Sequence, residues 1–213
     1  METSEWMMLL EGGFTTLWLC IVSIAIGLFL GLIIALIRYF NVPILAQLMA
    51  IYTSFARAIP LVTLVLFVFV GFPAVGLELD RNIAAILALV INTSAFNAEI
   101  WRNAFHAFSR EQLEAAKASG MTPLLTFRRI MLPQMLLTSL PGLVNEMSFL
   151  VKASPAVAVI GVVNLTRVTN RIAAVTYEPL PPILAACVLY MVLIGCMLKL
   201  QRWSERYVHR LAG

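Results

Sequence analysis

The sequence predicts an all-α integral membrane protein with about five transmembrane helices, and three observations lead there. The 213 residues are 61% hydrophobic and 12% charged, with a mean hydropathy of +0.92. Soluble domains carry about 25% charge, so half the usual polar coverage leaves lipid as the solvent for much of the surface. The apolar residues are gathered into runs long enough to cross a bilayer, and the basic residues between those runs fall unevenly on the two sides.

The first run covers residues 14–37. Its 24 residues would rise about 36 Å as a helix, enough for a hydrocarbon core of about 30 Å. The preceding "METSEWMMLLEGG" holds Glu2, Glu5 and Glu11 and no Lys or Arg. A secretory signal needs a basic start and a short apolar core, so an uncleaved first span is expected. Four more spans follow at roughly 47–72, 83–103, 135–153 and 180–200. "NVP" (41–43) parts the first two and "GFPAVGLELDRN" (71–82) the next pair. Residues 154–179 are mixed: "SPAVAVIGVV" is apolar but too short to cross, which suits a re-entrant or interfacial piece. Without a repeat or a low-complexity tract, residues 1–213 read as one domain.

An odd number of spans puts the termini on opposite sides. With the C-terminus inside, the inner side receives Arg38, Arg102, four basic residues in 104–134 and Lys199, Arg202, Arg206 and Arg210. The outer side receives Arg81, Arg167 and Arg171. Ten against three is a positive-inside bias. It places the N-terminus outside and residues 104–134 in the cytoplasm.

Cys20, Cys187 and Cys196 lie within apolar runs with no CxxC pattern, so neither a disulfide framework nor a metal site is indicated. The net charge of +4 does not point to nucleic acid when membrane sidedness accounts for the basic residues. His106 and His209 are the only histidines, and no GxSxG, HExxH or Walker A pattern is present. The chain is therefore not expected to be an enzyme, and any ATP would be bound elsewhere.

The cytoplasmic segment is the least oily part of the chain. Ser109 with Gln112 reads as a capping box, and Glu111 favours the helix dipole. "EQLEAAKAS" is good helix-forming sequence, Gly120 suits a left-handed stop, and Thr122–Pro123 restarts a helix. A further break is expected at Pro133. A helix about 13 Å long is too brief to stand alone in water. Two readings stay open on the residues alone: an amphipathic loop held to anionic lipid by Arg128 and Arg129, or a knob that docks into a cytoplasmic partner.

"EAAKASG" followed ten residues later by Ile130, Leu132 and Pro133 resembles the EAA loop of bacterial ABC importer permeases. Three further segments resemble the polar amino-acid uptake branch in the same order: "RAIPLVTLVLFVFVGFP" (57–73), "NTSAFNAEIWR" (92–102) and "LPQMLLTSLPGLVNEMSFLVKAS" (132–154). Together they cover most of residues 50–165. Three departures stand out. The family's "GQ" before "EAA" is Glu111–Gln112, its "RGTP" is "RAIP" (57–60), and its "KDTSL" is "KASPA" (152–156), which drops an acid. The last two lie towards the transport path.

The resemblance implies a type I ABC importer permease-like fold in a bacterial inner membrane. It implies two cytoplasmic ATPase subunits holding ATP and Mg, a second permease subunit, an external solute-binding protein and an amino-acid substrate. Glu114, Ala115, Ala116 and Gly120 would form the ATPase contact. No cofactor is expected on this chain. Ionisable and polar groups inside spans are functional candidates, which singles out Arg57, Asn92, Ser94, Asn97, Asn145, Glu146, Ser148 and Lys152. Asn145, Ser148 and Lys152 are spaced for one helix face. The alternative for Glu99 with Arg102, and for Glu146, is structural pairing. A secondary transporter or channel subunit without an ATPase is the competing function, though such transporters favour repeats.

Overall fold

The computed structural model describes residues 2–212. The side chains of residues 209–212, His209 and Arg210 among them, lie outside the described residues. The first helix, α1 (Thr3–Tyr39), begins well before residue 14 and would be about 55 Å long. The acidic start explains the difference. Glu2 N–H donates to the Glu5 carboxylate at 2.7 Å, a capping pair that starts the helix ahead of the apolar run.

The predicted second span is not one straight helix. It is two 14-residue helices, α2 (Leu45–Ala58) and α3 (Leu61–Ala74), bent by 112°. Pro60 has no N–H to donate and pushes the residue before it out of the helical region, and Ile59 is extended at φ −85°, ψ 130°. Each arm is about 21 Å long, short of a full crossing. Among the described residues, four helical stretches are long and apolar enough to cross a membrane, or five spans if the bent pair is one.

The next helix, α4 (Arg81–His106), is capped by Asp80, whose side chain accepts from Asn82 N–H at 2.8 Å. In its most apolar stretch 61% of residues are buried, so α4 is the hub of the molecule. It lies along α1, where Gly27 and Gly31 form a small-xxx-small seam. A Cβ on Gly31 would stand 2.7 Å from Asn97 Cβ and 3.0 Å from the α4 backbone. The Gly27–Gly31 spacing is visible in the sequence, but the partner helix that gives it meaning is not.

Beyond α4 come α5 (Arg110–Ala118) and the single turn α6 (Pro123–Thr126). A π-helical turn (Phe127–Met131) leads into α7 (Leu132–Ala153). The break expected at Pro133 does not occur: residues 123–160 run on as one membrane-length stretch. Leu132 N–H bonds back to Phe127, a five-residue step, and Pro133 falls in the first turn of α7 where a missing N–H costs little.

A 3-10 segment (Ser154–Ile160) ends at Gly161 with φ +91°. It is followed by the amphipathic α8 (Leu165–Thr176), which packs on α1 and on the last helix, α9 (Leu180–Ala212). The α8 cap is tied to α1, because Thr16 Oγ1 accepts from Leu165 N–H at 3.0 Å. Residues 154–176 are thus helical turns folded back against the bundle. In contrast to α4, only 11% of the most apolar window of α9 is buried.

Candidate functional site

Residues 109–126 form two helices around a tight corner. Ser109 Oγ accepts from Gln112 N–H at 3.2 Å, so the side-chain half of the predicted capping box is present. Gly120 takes φ +75°. Met121 N–H donates to Ala116 O and Gly120 N–H to Lys117 O, both at 3.0 Å, which is a Schellman motif. Thr122 Oγ1 then accepts from Leu125 N–H at 3.4 Å, with Pro123 in the first turn. The corner is fixed at both ends by local hydrogen bonds.

The expected contact set divides. Glu114, Ala115 and Gly120 are exposed, whereas Ala116 is buried against its own chain. Ala116 is on the inner face because its helix turns its apolar side towards a cavity of about 400 Å³ lined partly by Leu113, Met121 and Phe127. The outward face carries Glu111, Glu114, Ala115 and Ala118, at helical spacing. Beneath this element, Phe127 stacks on Phe105 of α4 with centroids 6.1 Å apart, and Phe105 stacks on Tyr39 of α1 at 4.6 Å. The turn that carries the exposed helix is therefore seated on the ends of α1 and α4 through three rings.

The polar residues of the spans also divide. A cavity of about 410 Å³ lies between α4 and α7, with Asn92, Asn145 and Glu146 as its polar lining. Phe96, Phe149, Leu150 and Ala153 supply the rest. Lys152 is exposed beside it, its ammonium 5.4 Å from the centroid of the Phe149 ring. Ser94 and Asn97, by contrast, are buried inside the packed bundle. Ser94 Oγ pairs with Tyr52 OH at 2.7 Å, and Asn97 Nδ2 donates to Thr93 Oγ1 at 3.3 Å. Ser148 does not share the exposed face of Asn145 and Lys152: it is buried and donates to Val144 O at 3.1 Å. These three do not line the cavity, because short polar side chains find partners within or beside their own helix.

Arg57 is drawn elsewhere. Glu99 sits at the meeting of α1, α2 and α4, with Arg38 paired to Oε1 and Arg102 to Oε2 at 2.7 Å. Arg57 Nη2 stands 4.0 Å from Oε1, and Thr53 Oγ1 accepts from Arg38 at 3.0 Å. One nearly buried carboxylate thus gathers three guanidinium groups, which is the structural pairing left open for Glu99 and Arg102. Nothing in the sequence neighbourhood of Arg38 signals a partner 61 residues away.

Known proteins align with this arrangement over nearly its whole length. Residues 27–210 match the family described as binding-protein-dependent transport system inner membrane component. The chain is 35% identical over 199 residues to the arginine transport system permease protein ArtQ of Bacillus subtilis, covering 93% of this chain and 91% of that one. It is 31% identical over 201 residues to the glutamine transport system permease protein GlnP of Escherichia coli K12, covering 93% and 92%. A solved amino acid ABC transporter with histidines superposes with a TM-score of 0.89 at 32% identity, covering 94% of each chain. The inward-facing MetNI methionine ABC transporter shares the fold, with a TM-score of 0.80 at 22% identity. With a family match across most of its residues and relatives of almost equal length, the chain belongs to the binding-protein-dependent transport system inner membrane components, the permease subunits of ABC importers.

Proposed function

We propose that this chain is the permease subunit of an ATP-driven importer of amino acids. The observation that carries the reading is the full-length likeness, at 32% identity and a TM-score of 0.89, to the solved amino acid ABC transporter. In the proposed assembly two such permease domains, alike or paired with a second kind, enclose the path. Two cytoplasmic ATPase subunits hold ATP and Mg, and an external binding protein delivers the substrate. The N-terminus lies outside and the C-terminus in the cytoplasm, which the ten-to-three bias of basic residues supports.

The exposed ridge of α5 docks into the ATPase, with Glu114 and Ala115 in contact and Gly120 setting the corner. A helix capped at both ends moves as a rigid body, so ATPase closure is transmitted to Phe127 and the bundle. The substrate passes the cavity between α4 and α7. Glu146 meets the ammonium group there, and Lys152 with Asn145 meets the carboxylate.

The test is ATP-dependent uptake of a radiolabelled amino-acid mixture by the complete transporter in proteoliposomes. Gly120→Val, which forces a branched side chain into a left-handed conformation, is expected to leave the chain inserted while detaching or uncoupling the ATPase. A Gly120→Val complex that holds its ATPase and transports normally would remove the docking assignment.

A further inference from the structure

The charge inventory of the α4–α7 cavity limits what kind of amino acid it can accept. Of its lining residues, Glu146 alone carries a charge, and it is nearly buried. Asn92 on α4 and Asn145 on α7 offer the only other polar side chains of the lining. The remaining surface, formed by Phe96, Phe149, Leu150 and Ala153, offers no polar side chain. One cation, Lys152, is held over the Phe149 ring at the edge of that apolar surface.

An amino acid brings one ammonium and one carboxylate whatever its side chain. If the ammonium occupies Glu146, this chain supplies no second carboxylate to the cavity to meet a cationic side chain. Such a side chain would lie among aromatic and aliphatic groups without a counter-charge, which costs several kcal/mol if it is fully desolvated. An apolar side chain meets no such penalty, and the aromatic walls offer it contact area. The volume of about 410 Å³ leaves room for a medium-sized side chain.

We infer that this cavity selects amino acids with uncharged, predominantly apolar side chains and discriminates against cationic ones. The inference rests on the amino-acid permease reading above. The arginine permease named among its relatives is thus a poor guide to the substrate of this chain, despite 35% identity.

Equilibrium binding to the purified permease–ATPase complex, without the binding protein, isolates the permease cavity from the selectivity of its delivery partner. Radiolabelled leucine, glutamine, glutamate and arginine are the probes. Leucine is expected to bind at least about tenfold more tightly than arginine. Ala153→Asp, which adds a carboxylate to the apolar surface, is expected to shift that ratio towards arginine by about tenfold. Folding of the variant is checked by its co-purification with the ATPase. Arginine binding equal to or tighter than leucine in the unmodified complex overturns the selectivity inference and leaves the amino-acid reading standing. So does a leucine-to-arginine ratio unmoved in a folded Ala153→Asp complex. Binding of none of the four overturns the placement of substrate in this cavity, while the uptake assay above decides the amino-acid reading separately.

Discussion

At the residue scale, the most consequential side chain is one whose role depends on three partners from distant parts of the chain. Glu99 holds Arg38, Arg57 and Arg102 at the junction of three helices. Removing its charge leaves a cluster of guanidinium groups with no anion, and breaking a buried pair from one side costs about 3–5 kcal/mol. Glu99→Gln is therefore expected to lower the melting temperature of the detergent-purified protein sharply. Arg57→Ala should cost about 1 kcal/mol or less, because Arg57 is a half-exposed and more distant partner. Thermal-shift measurement of both variants checks the order; equal losses would refute the Glu99-centred account. Glycines give a second contrast. Gly31→Ala pushes a methyl into Asn97 and the α4 backbone, an overpacking of about 1–3 kcal/mol. At Gly13 an added methyl meets nothing within 4 Å, so Gly13→Ala should be neutral or gain up to about 1 kcal/mol from helix propensity. Melting curves of the two variants are expected to move in opposite directions or to differ by several degrees.

At the scale of the element, two corners decide how the chain is arranged, and both are set by local backbone chemistry. The Gly120 corner was legible because Gly, Thr and Pro are each matched to a position at a helix end. The α2–α3 bend was hidden because a long apolar run looks the same whether or not it turns in the middle. Pro60 was the available signal. Pro60→Ala restores an N–H and lets Ile59 become helical, so α2 and α3 should straighten. Spin labels at positions 48 and 70, both exposed, would then stand roughly 33 Å apart, as in a continuous helix. A markedly shorter distance is expected in the unmodified chain. No lengthening in Pro60→Ala would mean that packing, not proline, makes the bend. The Pro133 expectation failed for a related reason. A proline breaks a helix only where its missing N–H is needed, and here it follows a π-turn in the first turn of α7.

At the scale of the whole molecule, the proposed orientation has a direct readout. A fluorescent protein fused to the C-terminus should fold in the cytoplasm and glow, and an alkaline phosphatase at the N-terminus should be active. The reverse pattern would reject the sidedness argument. Composition, run length and the spread of basic residues determined that this is a multi-spanning helical membrane protein, because lipid exposure demands apolar surface over bilayer lengths and those demands are written residue by residue. The collinear motifs determined the family, as the match over residues 27–210 bears out. What each polar side chain faces was decided only by the tertiary structure. Ser94 and Asn97 looked the same as Asn92 in sequence, yet burial within the bundle took the first two and the cavity kept the third. Ala116 looked the same as Ala115, yet rotation about the helix axis turned one inward and left the other exposed. The physical reason is common to both cases. A helix fixes the angle between neighbouring residues, but which angle meets lipid, cavity or protein depends on helices far away in the chain.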